Sequence, residues 1–223
     1  DEPSKNHREL FFDIEVEVTD GFPEPSKAQN KVTSVAMYTK HDGKYRVYVL
    51  GEGQNNIKDE VDIRFYSTES ELLKEFLRYW IKVQPTCITG WNTNGFDIPY
   101  LYNRLSKVLG EEFANALSPI QMVRYNPNKK MYRIAGVSSL DYMDLYRKFT
   151  YTQQSSYRLD HIGTIEVGLG KVEYEGTLDD LYRDDIDKFI EYNLNDVEIV
   201  KALDQKFKLL DLARAVSHLG RIP

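Results

Sequence analysis

The 223-residue sequence has one cysteine, Cys87, and no apolar run that approaches a membrane span. The first excludes an intrachain disulfide framework and fits a reducing compartment. The second excludes a helical membrane segment within these residues. Internal repeats and low-complexity linkers are missing too. Positive charge is not in excess, since 29 Lys and Arg face 35 Asp and Glu for a net −6. That balance argues against nucleic acid, because phosphate binders are usually basic. The argument fails if the acids are concentrated in a metal site, where two divalent cations would bring −6 to about −2. An initiator methionine is also lacking: the chain opens DEPSKNHREL and stops at HLGRIP after a helical pattern, as a piece of a longer protein would.

What is present fits a globular domain, with 41% hydrophobic and 29% charged residues and length for one large domain or two small ones. The sixteen tyrosines are amphipathic core-edge residues or, beside a groove, surfaces on which bases stack. LFFDIEVEV, residues 10–18, reads as a strand with Leu10, Phe12, Ile14, Val16 and Val18 on one face and Phe11, Asp13, Glu15 and Glu17 on the other. Three carboxylates side by side repel. Either this is a solvated edge face whose acids prevent aggregation, or a cation sits there.

After a turn-rich loop, KVTSVAMYTK and KYRVYVLGEG predict two strands joined by HDG, a hairpin signal. Residues 51–62, GEGQNNIKDEVD, read as a polar, mobile segment. Ser67 or Thr68 caps a helix through Val83, with Glu71 in capping-box position, and Pro85 ends it. TCITGW is a short buried strand, and NTNGFDIPYLYNRLSKVLG a turn entering a helix with Pro99 in its first turn. A hairpin turns around Asn126, Pro127 and Asn128. VSSLDYMDLYRKF is a strand leading into a helix, SYRLDHIGTIEVGLG a short helix, and residues 183–216 one long helix. Strands first, then alternating strand and helix, predict a mixed α/β sheet with helices packed on it.

Three segments carry candidate chemistry: DIE at 13–15, NTNGFD at 92–97 and YNLND at 192–196. Each has a plainer reading. Asp97 complements a helix N-terminus, and Asn92 and Asn94 suit a turn. Tyr192 and Asp196, four apart, share a helix face away from the apolar stripe through Ile186, Phe189, Ile190, Asn193, Leu194, Val197 and Val200, and the plainer reading is a solvated face with an incidental Tyr–Asp pair. Together, an i, i+2 acid pair, an acid opening a later helix and a Tyr-x-x-x-Asp form one constellation. Four carboxylates can converge on two hard cations that take oxygen ligands.

These segments resemble the Exo I, Exo II and Exo III motifs of the 3′→5′ proofreading exonuclease of family B DNA polymerases, in particular the replicative polymerases of T-even-like phages. DGFPEPSKA, TGWNTNGFDIPYLYNR, SLDYMDLYRKF, SYRLDHI and KVEYEG read like that family in the same order. The resemblance implies an α/β fold, an RNase H-like mixed β-sheet flanked by helices, as one exonuclease domain over residues 1–223. It implies the DEDDy type: Asp13 bridging two divalent cations, Mg2+ with Mn2+ as substitute, Glu15 and Asp196 completing the nucleophile-side metal, Asp97 holding the leaving-group metal, and Tyr192 orienting the attacking water. Lys171 falls where the family has a lysine near the scissile phosphate. Phe22 matches an aromatic that packs on bases of the frayed primer end, and Asn92 a residue near the bound strand.

Implied partners are DNA (a single-stranded 3′ end or a primer-template), a polymerase domain in cis and replisome accessory proteins, with no membrane. The implied location is the cytoplasm, that of a bacterial host if the parent is phage-encoded. The stretch from Asp13 to Phe22 is one residue longer than the phage pattern, Glu17 is expected to be peripheral, and the hairpin is shorter than its phage counterpart. Arg124, Lys129, Lys130 and Arg133 on that hairpin meet phosphates or form a solvated turn. The polymerase motifs SLYPS, NSxYG and DTD are absent, so the resemblance implies hydrolysis without synthesis. Rival readings are a free-standing DEDD exonuclease acting on DNA or RNA, and an inactive nuclease fold that only binds DNA or proteins. The second is marked by loss of a site acid, and all four acids are present.

Overall fold

The computed structural model describes residues 7–19, 21–58 and 61–220. In chain order the elements are β1 (Glu9–Val16), β2 (Val32–Thr39), β3 (Lys44–Leu50), β4 (Asn56–Lys58), β5 (Val61–Tyr66), α1 (Glu69–Val83), β6 (Cys87–Thr89), α2 (Asp97–Leu109) and α3 (Glu111–Asn115). There follow β7 (Val123–Asn126), β8 (Met131–Ile134), β9 (Ser138–Ser139), α4 (Tyr142–Phe149), α5 (Leu159–Val167), α6 (Leu178–Asp184), α7 (Ile186–Phe207) and α8 (Leu209–Gly220).

Among the described residues, seven strands form one sheet in the order β4-β5-β3-β2-β1-β6-β9, and β7 and β8 form a separate hairpin. β1 is therefore not an edge. It pairs antiparallel with β2 and parallel with β6, so the solvated-edge explanation of its acids falls. Both faces of the sheet are covered. Leu10, Phe12, Ile14 and Val16 pack with residues of α1 and α2 such as Leu72, Phe76 and Leu101, while Phe11 joins a second core with Tyr142, Ile190 and Val200. The acid-bearing face of β1 is thus the one beneath α7.

Local signals behave as their chemistry predicts at α1. Thr68 caps it, with the reciprocal Glu71 contact of a capping box, and the helix ends at Gln84 in left-handed geometry before Pro85. Thr68→Ala is expected to cost about 1 kcal/mol and to lower Tm by roughly 2–4 °C, measured by thermal unfolding.

Two expectations are corrected. Residues 51–62, read as mobile, hold β4 and the start of β5, which lies parallel to β3 from Val61 to Tyr66. Main-chain pairing with an already placed neighbour outweighs the segment's polar composition. The single helix over 183–216 is three pieces. α6 ends at Asp184, and the Asp185 side chain caps α7 by accepting from the Lys188 amide at 3.1 Å. At the other end Lys208 takes a left-handed φ of 53°. Asp204 Oδ1 accepts from the Leu210 amide at 3.2 Å, while Leu209 and Leu210 turn into the second core. Burial of these two leucines drives the break, although the site holds neither Gly nor Pro.

Candidate metal centre and active site

On β1, Asp13 stands opposite Ala36 and Glu15 opposite Ser34 of β2, and the register shifts between Glu15 and Val16. The small residues at 34 and 36 leave room for α7 to lie against the sheet, and the irregularity re-aims the strand at its second acid. α7 carries Tyr192, Asn193 and Asp196 across this point. As a result Asp13, Glu15 and Asp196 each offer a carboxylate oxygen within 4.8 Å of the others. Glu17, expected to be peripheral, stays outside this set.

Asp97 reaches the same region by another route. After β6 the chain turns at Gly90, where a Cβ would meet the Phe12 carbonyl oxygen at 2.4 Å; only glycine permits so close an approach. The turn that follows is held by Asp141, whose carboxylate accepts from the amides of Asn92 (3.0 Å), Asn94 (2.9 Å) and Met143 (3.1 Å). Asn92 adopts φ 61° with its side chain exposed. Asn94 acts as a turn residue, its Oδ1 accepting from Ser139 Oγ at 2.6 Å. Asp97 then opens α2, 3% exposed, and its Oδ1 accepts from the Ile14 amide at 3.1 Å. It does not join the 4.8 Å set. Even so, its charge is felt by both Asp13 and Glu15.

The electrostatics of the cluster follow from crowding acids out of water. Burial, followed by the neighbouring carboxylates, holds Asp13 and Glu15 well above the ordinary carboxyl range. Burial raises Asp97 to about 7 against the lowering effect of backbone amides, and raises Asp196 to about 7 against Lys171. Burial also pushes the Tyr192 hydroxyl up, reinforced by Glu15 and Asp196, so it keeps its proton at neutral pH and remains a donor. The Tyr192 ring meets the Tyr174 ring edge-on at 5.5 Å, and Lys171 Nζ lies 5.1 Å from both ring centres. Hard oxygen donors gathered with more negative charge than Lys171 can offset are what a divalent cation requires, so the residues fit such an ion.

The outlying candidates are more exposed. Phe22 is 83% exposed on the loop between β1 and β2, its ring 5.5 Å from that of Phe96, next to Asp97. Arg124, Lys129, Lys130 and Arg133 are all exposed on the β7–β8 hairpin. The sequence alone does not mark Asp141 as the organiser of the turn, and it places Asn193 within an apolar stripe. A polar residue in such a stripe was the available signal.

Comparison with known proteins gives a consistent result. The family described as DNA polymerase family B, exonuclease domain, matches residues 2–162. A DNA-directed DNA polymerase of Escherichia phage RB69 is 34% identical over 95% of this chain, and one of Enterobacteria phage T4 is 32% identical over 94%; the chain covers 27% of each. DNA polymerase 1 of Sulfurisphaera ohwakuensis is 29% identical over 96% of the chain, which covers 25% of it. The chain thus spans about a quarter of the length of these relatives.

Proposed function

The chain belongs to the exonuclease domain family of family B DNA polymerases, and from that premise we propose that it is a 3′→5′ proofreading exonuclease. It hydrolyses the terminal phosphodiester of single-stranded or frayed DNA and releases nucleoside 5′-monophosphates. The observation that carries this reading is the convergence of Asp13, Glu15 and Asp196 within 4.8 Å. Buried Asp97 and the protonated hydroxyl of Tyr192 lie in the same charge field.

Asp13, Glu15 and Asp196 would hold one divalent cation, and Asp13 with Asp97 would hold a second, Mg2+ or Mn2+ in its place. Bound there, two such ions would supply a lowered water pKa and positive charge for the leaving 3′ oxygen. Tyr192 donates its hydroxyl to orient the attacking water. Lys171 faces the scissile phosphate, Phe22 packs on a base of the frayed end, and Asn92 contacts the strand. Residues 1–223 act as one domain, with a polymerase domain in cis and replisome accessory proteins as partners. The setting is the cytoplasm, that of a bacterial host for a phage-encoded parent. Among the described residues no helix is long and apolar enough to cross a membrane.

A 5′-labelled single-stranded DNA tests the reading. Incubated with the chain in Mg2+ it should shorten from the 3′ end into a ladder, and EDTA should stop the reaction. Digestion in EDTA, or a single short labelled product from the 5′ end, overturns it. Tyr192→Phe is expected to bind Mn2+ like the parent yet cleave about tenfold more slowly, the loss of one positioning hydrogen bond. Single-turnover rates and calorimetry separate the two effects, and an unchanged rate would make Tyr192 a packing partner of Tyr174.

A further inference from the structure

We propose that Asn193 is a positioning residue of the metal centre: its amide orients the Asp13 carboxylate, and Ser34 orients the amide. The inference rests on the metal-dependent reading above and adds two residues to it. Asn193 follows Tyr192 on α7 and faces the sheet, fully buried, as is Ser34. A buried amide is costly unless both of its ends are satisfied. Here both are. Nδ2 donates to Asp13 Oδ2 at 2.7 Å, and Oδ1 accepts from Ser34 Oγ at 2.7 Å.

The direction of this relay follows from chemistry. Asp13 is ionised when it holds a cation and then offers acceptors only, so the amide nitrogen faces it. The amide oxygen then faces Ser34, whose hydroxyl must donate. Ser34 sits opposite Glu15 in the β1–β2 register, so the relay begins beside the second acid and ends on the first. It fixes the plane of the Asp13 carboxyl and leaves its other lone pairs for cations. Leucine has the same branched shape and would enter the stripe of α7 at lower desolvation cost. Polar side chains behind a ligand orient it, and their loss typically weakens metal affinity by about 10–100-fold.

The test is a calorimetric titration of Mn2+ alone into the 223-residue chain and its variants, with thermal unfolding measured in EDTA. Asn193→Leu is expected to bind Mn2+ about tenfold more weakly, and its metal-free Tm reports separately the cost of leaving the buried Ser34 hydroxyl unpaired. Ser34→Thr and Ser34→Val have the same shape and differ in the hydroxyl. Threonine should restore the affinity that valine loses. Unchanged Mn2+ affinity in Asn193→Leu, with threonine and valine equivalent at position 34, would reduce the relay to core filling and overturn the inference. Should Asn193→Leu fail to fold, the Ser34 pair decides alone. A parent chain that binds Mn2+ no better than Asp13→Ala would instead sink the nuclease reading itself. The two failures are therefore distinct.

Discussion

Asp13→Ala is expected to lower the rate of DNA cleavage at least about a thousandfold while leaving the chain folded. Asp13 is tied to the other members of the centre in several ways. It lies in the 4.8 Å set with Glu15 and Asp196, feels the charge of Asp97, and receives the Asn193 amide. On the two-metal reading proposed above, losing it would remove a ligand to both cations. Metal stabilisation of the developing charge is worth several kcal/mol, and about 1.36 kcal/mol is a factor of ten in rate.

Two terms compete in the fold. Removing one of four crowded acids relieves repulsion and desolvation, which stabilises. Orphaning the Asn193 amide costs about 1–3 kcal/mol if no water takes the vacated place. Asp13→Asn keeps an acceptor for Asn193 and so isolates the first term. Without metal at about pH 8, where the acids are most charged, Asp13→Asn should melt above the parent. Both variants should lose the rise in Tm that Mg2+ induces in the parent. A wild-type cleavage rate in either variant would show that the metal assignment is wrong. A collapse of Tm in both would mean that the lost activity is lost fold.

Without divalent metal, the chain should become less stable as pH rises from about 5.5 to about 8, by roughly 3 kcal/mol or more, or about 6–12 °C in Tm. Asp97 and Asp196 have pKa values near 7 in the folded chain against 3.8 for an ordinary aspartate, and Asp13 and Glu15 are also raised. A folded carboxyl with a raised pKa binds more protons than the unfolded chain does between the two values. Its stabilisation is complete below the unfolded pKa and is lost as pH rises through the folded one. Mg2+ bound to the ionised cluster would reverse the loss. Its effect on Tm should therefore be larger at about pH 8 than at about pH 5.5. Melting curves over this range, in EDTA and in Mg2+, measure both slopes. A metal-free Tm that is flat or rising would mean that the four acids are not crowded in solution. Asp13→Asn should flatten the metal-free slope, since it removes one of the coupled groups.

The local features of this chain were legible because their information is local. The alternation of β1, the capping box of Thr68 and Glu71 and the i, i+4 spacing of Tyr192 and Asp196 are each contained within a few residues. Backbone geometry alone converts such spacings into shared faces. The acids of β1 were visible as an anomaly for the same reason, since an apolar strand with carboxylates on its second face conflicts with itself unless something neutralises them.

What covers that face was a tertiary matter. β1 lies inside the sheet only because β2 and β6 pair with it, and β5 is a strand because β3 is already beside it. α7 stops at Lys208 because Leu209 and Leu210 have a core to enter. The bonds that organise the centre join Ile14 to Asp97, Ser34 to Asn193 and Asp13 to Asn193, pairs 83, 159 and 180 residues apart. No window of sequence contains both partners of any of them. The periodicity of α7 therefore reads Asn193 as one more member of a buried stripe. Its role appears only when a hydroxyl from β2 and a carboxylate from β1 arrive at the two ends of its amide.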